Sequence, residues 1–417
     1  MNDLIAARSQ MAVSLAFHII FAVIGIAMPV LMVIAERRWQ RTGEPVYLDL
    51  AKRWARGTAV LFAVGAVSGT VLSFELGLLW PRFMQLAGPI IGMPFSLEGF
   101  AFFTEAIFLG IYLYGWERVP PRAHLAAGAL VAVSGSASGI FVVIANAWMN
   151  TPIGFTLANG MFTSVDPIAA MGTPAAFPQA LHMILAAFAA TGIGVAGIHA
   201  FLLVRGRTNP LHRAALTIGL IVGAPAAVLQ PFAGDIAARF VARRQPVKLA
   251  AMEALYETRA GAPLTFGPGI RIPRGLSLLA FHDPNAIVRG LDRVPRDEWP
   301  NVPLVHLSFD VMVAFGTYLA LVSLWAGWQV LRKRDLHTQR RLLWALAVAA
   351  PCGFIAIEAG WMVTELGRQP WVIYGILKTA DAVTPMPGLV VPFTVITLVY
   401  CALALIVTRV LYTQIVQ

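Results

Sequence analysis

Residues 358–371 read EAGWMVTELGRQPW, and this stretch decides which fold the rest of the chain can form. Its first eight residues close an apolar run that opens near Leu342 and contains two carboxylates, Glu358 and Glu365. The two lie seven residues apart, so at about 100° per residue they share one face of a helix. A charged carboxylate in lipid costs about 2.5–3.5 kcal/mol even on the mildest insertion scale. This face is therefore predicted to lie inside a helix bundle.

The letters GRQPW at the end of this stretch predict that the helix stops at the membrane surface. Gly367 is predicted to permit the turn, and Pro370 disfavours helical backbone at the residue before it. An arginine fork binds carboxylates, and an indole favours the membrane interface. We therefore expect Arg368 and Trp371 to lie at the membrane edge, where the rest of the chain supplies partners.

The composition is that of an integral membrane protein. The 417 residues are 58% hydrophobic and 12% charged, whereas soluble domains carry about 25% charged residues. The net charge of +10 has no accompanying basic and aromatic pattern, so it indicates membrane orientation and not nucleic-acid binding. Both cysteines, Cys352 and Cys401, lie in apolar runs, which argues against a disulfide scaffold, a redox pair and an iron–sulfur cluster. The N-terminal apolar run is predicted to be a span and not a cleaved signal.

Apolar runs long enough to cross a bilayer, about 20 residues each, occur nine times. The predicted fold is an all-α integral membrane protein, a bundle of about nine transmembrane helices. The predicted spans are 11–35, 54–80, 94–116, 123–147, 179–204, 215–233, 304–331, 342–366 and 388–412.

The Lys and Arg distribution predicts the orientation of the bundle. The short segments on the side of the N-terminus hold four such residues, and those on the other side hold sixteen. Because cytoplasmic loops carry the excess, the N-terminus is predicted to be periplasmic and the C-terminus cytoplasmic, in a bacterial inner membrane. The four are Arg8, Arg82, Arg368 and Lys378.

A long polar segment, residues 234–303, separates the sixth and seventh spans and is predicted to be external. A connection of this length is usually functional or disordered. Its first part, DIAARFVARRQPVKLAAMEALYET, is predicted to be helical, and its middle is rich in Pro and Gly. The predicted units are therefore 1–233 with six spans, this loop, and 304–417 with three spans.

Four residues that can bind haem iron fall at one depth, in the external third of the membrane. His18 lies in the first span and His182 begins the fifth, while Met312 lies in the seventh and Glu365 ends the eighth. Axial ligands from facing helices are what a haem inside a bundle requires. A His/Met pair would give a six-coordinate haem, and a single His or Glu would leave a position for oxygen. The competing interpretation is that each histidine only joins two helices by a hydrogen bond.

Two further carboxylates share one face of the third span. Glu98 and Glu105 are seven residues apart, the first near the external end and the second near mid-membrane. Intramembrane carboxylates in series suggest a proton relay, and the alternative is that each is a structural hydrogen-bonding group. Asn146 is a neutral group that could join such a path. Trp361 shares the face of Glu365 and packs either between macrocycles or as ordinary core.

Four motifs together resemble subunit I of the cytochrome bd-type ubiquinol oxidases, and the resemblance spans the whole chain. They are EAGWMVTELGRQPW, QPVKLAAMEALYET, LEGFAFFTEAIFLGIYLYGW and ANAWMN. The resemblance implies a non-pumping enzyme that oxidises ubiquinol at the external face and reduces O2 to water with protons taken from the cytoplasm. It implies two haems b, one low-spin and one high-spin, and a haem d that a third haem b replaces in one branch. It also implies a subunit II as heterodimer partner and leaves a small single-helix accessory subunit open.

The resemblance assigns roles residue by residue. His182 and Met312 resemble the axial pair of the low-spin haem b. His18 resembles the ligand of haem d, and Glu365 that of the high-spin haem b. Trp361 would lie between haems, and Arg368 would hold propionates. In the loop, Lys248 and Glu253 resemble the quinol-site pair, with Glu253 as proton acceptor and Lys248 on the quinol oxygen. Glu105 and Glu98 resemble the proton path.

Three features depart from the pattern of the family. Asp310 stands where an Arg is expected, two residues before Met312. The interval between Glu98 and Glu105 is one residue shorter than expected, so either the helix is distorted or one Glu has another role. The loop has no long insertion before Asn301, as in the short-loop branch that includes cyanide-insensitive oxidases.

Two rival functions remain at this stage. A membrane b-type cytochrome would pass electrons without reducing oxygen. A proton-coupled transporter would use the carboxylates for its substrate and His18 for proton relay, without haem; broken spans and an inverted repeat would support it, and the sequence has neither.

Overall fold

The computed structural model describes residues 1–267 and 269–416. In that part of the chain nine helices are long and apolar enough to cross a membrane, which confirms the prediction of an all-α bundle. In chain order the helices are α1 (Asp3–Thr42), α2 (Pro45–Leu79), α3 (Pro81–Tyr114), α4 (Pro121–Asn150), α5 (Pro167–Met171), α6 (Ala176–Val204), α7 (Pro210–Arg244), α8 (Pro246–Met252), α9 (Gly275–Phe281), α10 (Val302–Leu331), α11 (Arg340–Leu366), α12 (Thr379–Ala382) and α13 (Val390–Val416). The nine long helices are α1–α4, α6, α7, α10, α11 and α13, and the other four are short.

Most helices extend beyond the apolar runs that predict them. The clearest case is α7, which continues to Arg244, eleven residues past the predicted end of the sixth span at 233. The apolar count ends where polar residues begin, whereas the backbone hydrogen bonds of a helix continue for as long as the backbone stays helical. The predicted helical start of the following segment therefore consists of the last three turns of α7 and the short helix α8.

Helix starts follow from local chemistry. Six helices, α2–α5, α7 and α8, begin with proline, whose fixed φ suits the first turn and whose missing N–H is not needed there. Side chains of Asn2, Asn209 and Asn301 accept backbone N–H groups at the starts of α1, α7 and α10. These caps satisfy donors that the helix itself leaves unpaired.

Short strands form four antiparallel pairs among the connections of the described chain. The pairs are β1 (Thr156–Ala158) with β2 (Met161–Thr163), β3 (Arg259–Ala260) with β6 (Ile287–Val288), β4 (Leu264–Phe266) with β5 (Ile270–Ile272), and β7 (Trp371–Ile373) with β8 (Leu377–Lys378). The β3–β6 pair encloses β4, β5 and α9, so the connection between α8 and α10 is folded. It packs its own apolar core on α8, α10 and α11 through residues that include Leu249, Leu276, Leu291, Val305 and Val363.

Small residues let α6 lie at the centre of the bundle. A Cβ at Gly223 of α7 would lie 2.6 Å from the backbone nitrogen of Ile193 on α6, and one at Gly197 of α6 would lie 2.3 Å from the carbonyl oxygen of Leu346 on α11. Backbones can approach this closely only where side chains are minimal. As a result α6 packs tightly on both α7 and α11.

Candidate functional site

Polar side chains from three elements form an unbroken chain beside the C-terminal end of α11. The Lys248 ammonium on α8 donates to the Asn150 Oδ1 atom at 2.6 Å, and Asn150 donates to the Asn146 Oδ1 atom at 3.0 Å. Asn146 in turn donates to Glu365, and the Glu365 carboxylate also accepts from Arg368 at 2.5 Å. The chain links the predicted quinol residue Lys248 with the predicted iron ligand Glu365.

Lys248 is buried within this chain, with 4% of its surface exposed. Burial lowers the pKa of Lys248 to about 7; nearby Arg368 also lowers it, and Glu365 raises it. Its aliphatic stem crosses Gly367, where a Cβ would lie 2.9 Å from the Lys248 Cγ atom. The helix ends at Gly367, whose backbone φ of −70° is one that any residue can adopt. The glycine provides space for Lys248.

The predicted partner of Lys248, Glu253, faces a different set of groups. It follows the last residue of α8, and its Oε2 atom accepts the backbone N–H of Thr265 at 3.1 Å. Burial raises the pKa of Glu253 to about 7; the Thr265 N–H and His306 lower it, and Asp310 raises it. Among the described residues no hydrogen bond joins Lys248 with Glu253.

Asp310, at the position where an Arg is expected, binds the connection between α8 and α10. Its Oδ2 atom accepts the backbone N–H of Gly267 at 2.8 Å and lies 3.5 Å from the His306 Nε2 atom. The His306 Nδ1 atom lies 2.6 Å from the carbonyl oxygen of Met252. The side chains of His306 and Asp310 are 15% and 18% exposed. This acidic residue therefore fastens the loop to α10.

The predicted ligand His18 is oriented by α2. Its Nδ1 atom lies 3.0 Å from the Ser68 Oγ atom, which also lies 2.9 Å from the Val64 carbonyl oxygen and 3.1 Å from that of Gly65. When Ser68 gives its single proton to one of these carbonyls, its Oγ atom accepts from Nδ1 of His18, and Nε2 keeps its lone pair. A Cβ at Gly69 would lie 2.9 Å from the His18 ring, so this glycine leaves space for the imidazole.

The other two predicted ligands lie on helices that both pack against α11. His182 on α6 is contacted through Nε2 by the Gln230 amide at 3.1 Å, and its Nδ1 atom is buried without a hydrogen-bond partner among the described residues. Met312 on α10 faces Gly360 of α11, where a Cβ would lie 3.0 Å from the sulfur. Trp361, the next residue of α11, packs against apolar residues of α1 and α6. The structure thus brings Met312 to α11 beside Trp361, whereas His182 contacts Gln230 of α7.

Glu98 and Glu105 both face α4, as their predicted common face requires. Glu98 accepts a hydrogen bond from Ser138 at 3.2 Å, and a Cβ at Gly135 would lie 3.2 Å from the Glu105 carboxyl group. Glu105 is buried, and α3 is α-helical throughout this region. The short interval is therefore accommodated without a break in the helix.

Comparison with known proteins identifies the family. The family model for cytochrome bd terminal oxidase subunit I matches residues 6–417. The chain belongs to the cytochrome bd terminal oxidase subunit I family. The resemblance in the four motifs is thereby confirmed.

Relatives match over nearly the whole chain. The chain is 38% identical to the "Putative cytochrome bd menaquinol oxidase subunit I" of Bacillus subtilis (strain 168), covering 99% of this chain and 96% of that protein. It is 30% identical to cytochrome bd ubiquinol oxidase subunit 1 of the same strain, covering 92% and 87%. The solved structure of bd oxidase from Geobacillus thermodenitrificans matches with a TM-score of 0.93 at 38% identity, covering 99% of both chains.

Membership in the cytochrome bd family establishes the general activity. The protein is a multi-pass membrane oxidoreductase that acts on quinol as a terminal oxidase in respiratory electron transport. The family implies haem cofactors and a partner subunit II. This favours the oxidase over the proton-coupled transporter.

The residues present in this cytochrome bd subunit fit a haem. Arg368 is 2% exposed, yet its Nε and Nη1 atoms are buried without a hydrogen-bond partner among the described residues. A buried guanidinium with open N–H groups is costly unless an anion binds it, and haem propionates are such anions. The bare Nε2 atom of His18 and the unpaired Nδ1 atom of His182 are nitrogen donors of the type that haem iron binds.

Sequence reasoning missed three residues of this site: Asn150, Ser68 and His306. Asn150 lies four residues after Asn146, one helical turn further along α4, so the ANAWMN motif contains a usable signal for it. Ser68 becomes recognisable only through its contact with His18 on another helix. His306 lies four residues before Asp310 on the same helix, so this spacing is a usable signal for it.

Proposed function

We propose that this chain is the haem-bearing subunit of a quinol:O2 oxidoreductase, in which two quinols and one O2 give two quinones and two waters. The observation that carries the proposal is the polar chain from Lys248 through Asn150 and Asn146 to Glu365 and Arg368. It links a residue suited to hold a quinol oxygen with residues suited to hold a haem and its propionates.

Four residues of this chain bind haem iron in the proposal. His182 and Met312 hold the low-spin haem b, His18 holds haem d or the haem b that replaces it, and Glu365 holds the high-spin haem b. Arg368 binds propionates, and Trp361 packs between haems. When bound, the haems supply one-electron transfer and a coordination site for O2. The Ser68 contact supports the role of His18, because it fixes the imidazole tautomer that ligation needs.

Quinol binds between Lys248 and Glu253 in the proposal. Lys248 donates to one quinol oxygen, and Glu253 accepts a proton from the other hydroxyl group. Each residue is buried and has a pKa of about 7, so its protonation can change at physiological pH. Their separate surroundings support binding at two different oxygens of one ring.

Protons for water formation come from the cytoplasm through Glu105 and Glu98, without pumping. The charge distribution supports this direction, since the side with sixteen Lys and Arg is proposed to be cytoplasmic and the N-terminus periplasmic. The proposed location is a bacterial inner membrane, in a heterodimer with subunit II, with a small single-helix subunit as a further candidate partner. The short loop supports placement in the branch that includes cyanide-insensitive oxidases.

The test is a reduced-minus-oxidised spectrum with pyridine haemochrome analysis of the purified complex, combined with oxygen uptake. Because relatives are named for both ubiquinol and menaquinol, short-chain forms of both serve as donors. We expect b-type bands and quinol-dependent oxygen uptake, and a chlorin band in the red identifies haem d. His182→Ala is expected to remove the low-spin signal while the protein still inserts. A purified complex without haem contradicts the proposal.

A further inference from the structure

The proposed proton acceptor Glu253 needs an outlet to water. Each quinol that is oxidised releases two electrons and two protons, and a carboxylate that takes one proton must pass it on before the next turnover. Only 3% of Glu253 is exposed, so water has little direct access to its carboxyl group. The groups around Glu253 therefore determine how the proton leaves.

His306 is held in the protonation form that such an outlet requires. Its Nδ1 atom lies 2.6 Å from the Met252 carbonyl oxygen. A carbonyl oxygen can only accept, so Nδ1 carries the proton, and in the neutral ring Nε2 has a free lone pair. The Met252 carbonyl belongs to the residue directly before Glu253, so the imidazole is bound to the backbone next to Glu253. Glu253 also lies within electrostatic range of both His306 and Asp310.

Asp310 lies beside the other ring nitrogen of His306 and binds the adjoining loop. Its Oδ2 atom lies 3.5 Å from the His306 Nε2 atom, the position that a proton would take up. The same carboxylate accepts the N–H of Gly267, while Glu253 accepts the N–H of Thr265 two residues earlier. Residues 265–267 of the loop thus connect the Glu253 carboxylate with the Asp310 carboxylate, which lies beside the imidazole. An Arg at position 310 has only donors and could not accept the Gly267 N–H.

We propose that His306 receives the quinol proton from Glu253 and releases it to the external water, with Asp310 as the residue that positions it. The inference rests on the proposed quinol site. The two O–H bonds of the quinol break one after the other, and each proton bonds to Glu253 in its turn. It then bonds to the Nε2 atom of His306, whose side chain is 15% exposed, and leaves from there. The two electrons go to the enzyme's haem and finally to O2.

The test uses His306→Gln in the purified complex, because glutamine can still donate to the Met252 carbonyl but cannot take up a proton. We expect kcat for quinol oxidation to fall at least about a hundredfold, the lower end of the range for lost acid–base groups, with KM and the haem spectrum unchanged. Oxygen uptake with N,N,N′,N′-tetramethyl-p-phenylenediamine, an electron donor that releases no proton at the site, should stay at the wild-type rate. Added imidazole should restore part of the lost kcat.

The matched control is His282→Gln, the same substitution at an exposed histidine of the same connection; wild-type kcat is expected. Glu253→Gln tests the underlying site. Wild-type kcat in His306→Gln overturns the inference, and if Glu253→Gln is slow in the same assay the proposed quinol site stands. A slow His306→Gln enzyme that imidazole does not rescue also overturns it, because the residue is then structural. A wild-type complex that does not oxidise quinol overturns the proposed function itself.

If the His306→Gln complex loses its haem signals, the inference is tested with a second variant, Asp310→Asn. Asp310→Asn keeps an oxygen that can accept the Gly267 N–H and removes the negative charge beside His306. We expect a smaller fall in kcat with unchanged KM, because the charged imidazole loses its partner. Wild-type kcat in this variant, with intact haem bands, overturns the inference.

Discussion

Lys248 and Glu253 are buried residues whose pKa values are shifted towards each other, each to about 7, mainly by burial. The proposed chemistry needs Lys248 charged, to hold the quinol oxygen, and Glu253 ionised, to accept the proton. Below pH 7 Glu253 gains a proton and cannot accept another, and above pH 7 Lys248 loses its charge. We therefore expect kcat/KM for quinol to have a bell-shaped pH profile with both limbs near pH 7.

Variants assign each limb of that profile. Glu253→Gln should lower the rate and remove the acidic limb, and Lys248→Met should remove the alkaline limb. Steady-state oxygen uptake between about pH 5 and about pH 9 measures both limbs of the profile, and this range extends to either side of the ordinary pKa of histidine. A wild-type profile that is flat across this range would contradict the assignment.

Arg368 is a third residue whose burial makes a specific prediction. Arg368→Gln removes the positive charge that pairs with Glu365 and leaves that carboxylate bonded only by Asn146 among the described residues. Loss of one member of a buried ion pair costs about 3–5 kcal/mol, so the complex should unfold at a lower temperature. The midpoint potential of the neighbouring haem should also fall, because a positive charge stabilises the reduced form.

Thermal unfolding in detergent and a redox titration of the haem bands measure these two effects. Arg82→Gln, at an exposed arginine in the first turn of α3, is the control and should change neither quantity. An unchanged midpoint potential in Arg368→Gln would argue against a propionate contact.

Sequence alone predicted the residue types of the site better than their contacts. The pairing of Glu365 with Arg368 follows from a spacing of three along a helix end, so it is readable from the sequence. The bond between Lys248 and Asn150 joins residues 98 positions apart, and no local pattern encodes it. The role of Gly367 could not be predicted from a local pattern either, because the space that it leaves is filled by Lys248, a side chain from another helix.

At the scale of helices, the close contact of α6 with α7 depends on single glycines. Gly223→Ala would place a Cβ 2.6 Å from the Ile193 nitrogen, which is backbone and cannot rotate away. The helices must then separate, and overpacking of this kind costs about 1–3 kcal/mol. We expect a lower unfolding temperature in detergent with a normal yield of inserted protein.

Gly327→Ala on α10 is the matched control, since nothing lies within 4 Å of its added Cβ. Alanine has the higher helix propensity, so this variant should be unchanged or slightly more stable, by up to about 1 kcal/mol. Equal unfolding temperatures for the two variants would show that the α6–α7 contact adapts to a larger residue.

The nine spans were predictable because each needs only an apolar run, a property of consecutive residues. The exact helix ends were not, as α7 shows by continuing through the polar residues to Arg244. The same applies to the folded connection after α8, whose short strands pair residues such as Arg259 and Val288 that are far apart in sequence. Spans are local properties, whereas these contacts depend on the whole fold.

At the scale of the whole molecule, the proposed function requires a defined orientation in the membrane. The proposed quinol residues Lys248 and Glu253 lie at the end of the bundle where α7 ends and α10 begins, and the sixteen Lys and Arg of the basic side are in segments at the opposite end. If protons enter at the basic end and quinol is oxidised at the other, the reaction separates charge across the bilayer. The positive-inside rule then places the connection between α8 and α10 outside the cytoplasm.

Single cysteines test this orientation in intact cells. In a background with Cys352→Ser and Cys401→Ser, Arg271→Cys in β5 should react with a membrane-impermeant maleimide added from outside. Lys333→Cys, after the end of α10, should react only after lysis, because it lies in one of the basic segments. Both positions are exposed, so accessibility to the reagent depends on the side of the membrane and not on burial. The opposite labelling pattern would place quinol oxidation on the cytoplasmic side and proton entry on the external side. The proposed direction of charge separation would then be wrong, although the proposed haem and quinol sites would not be contradicted.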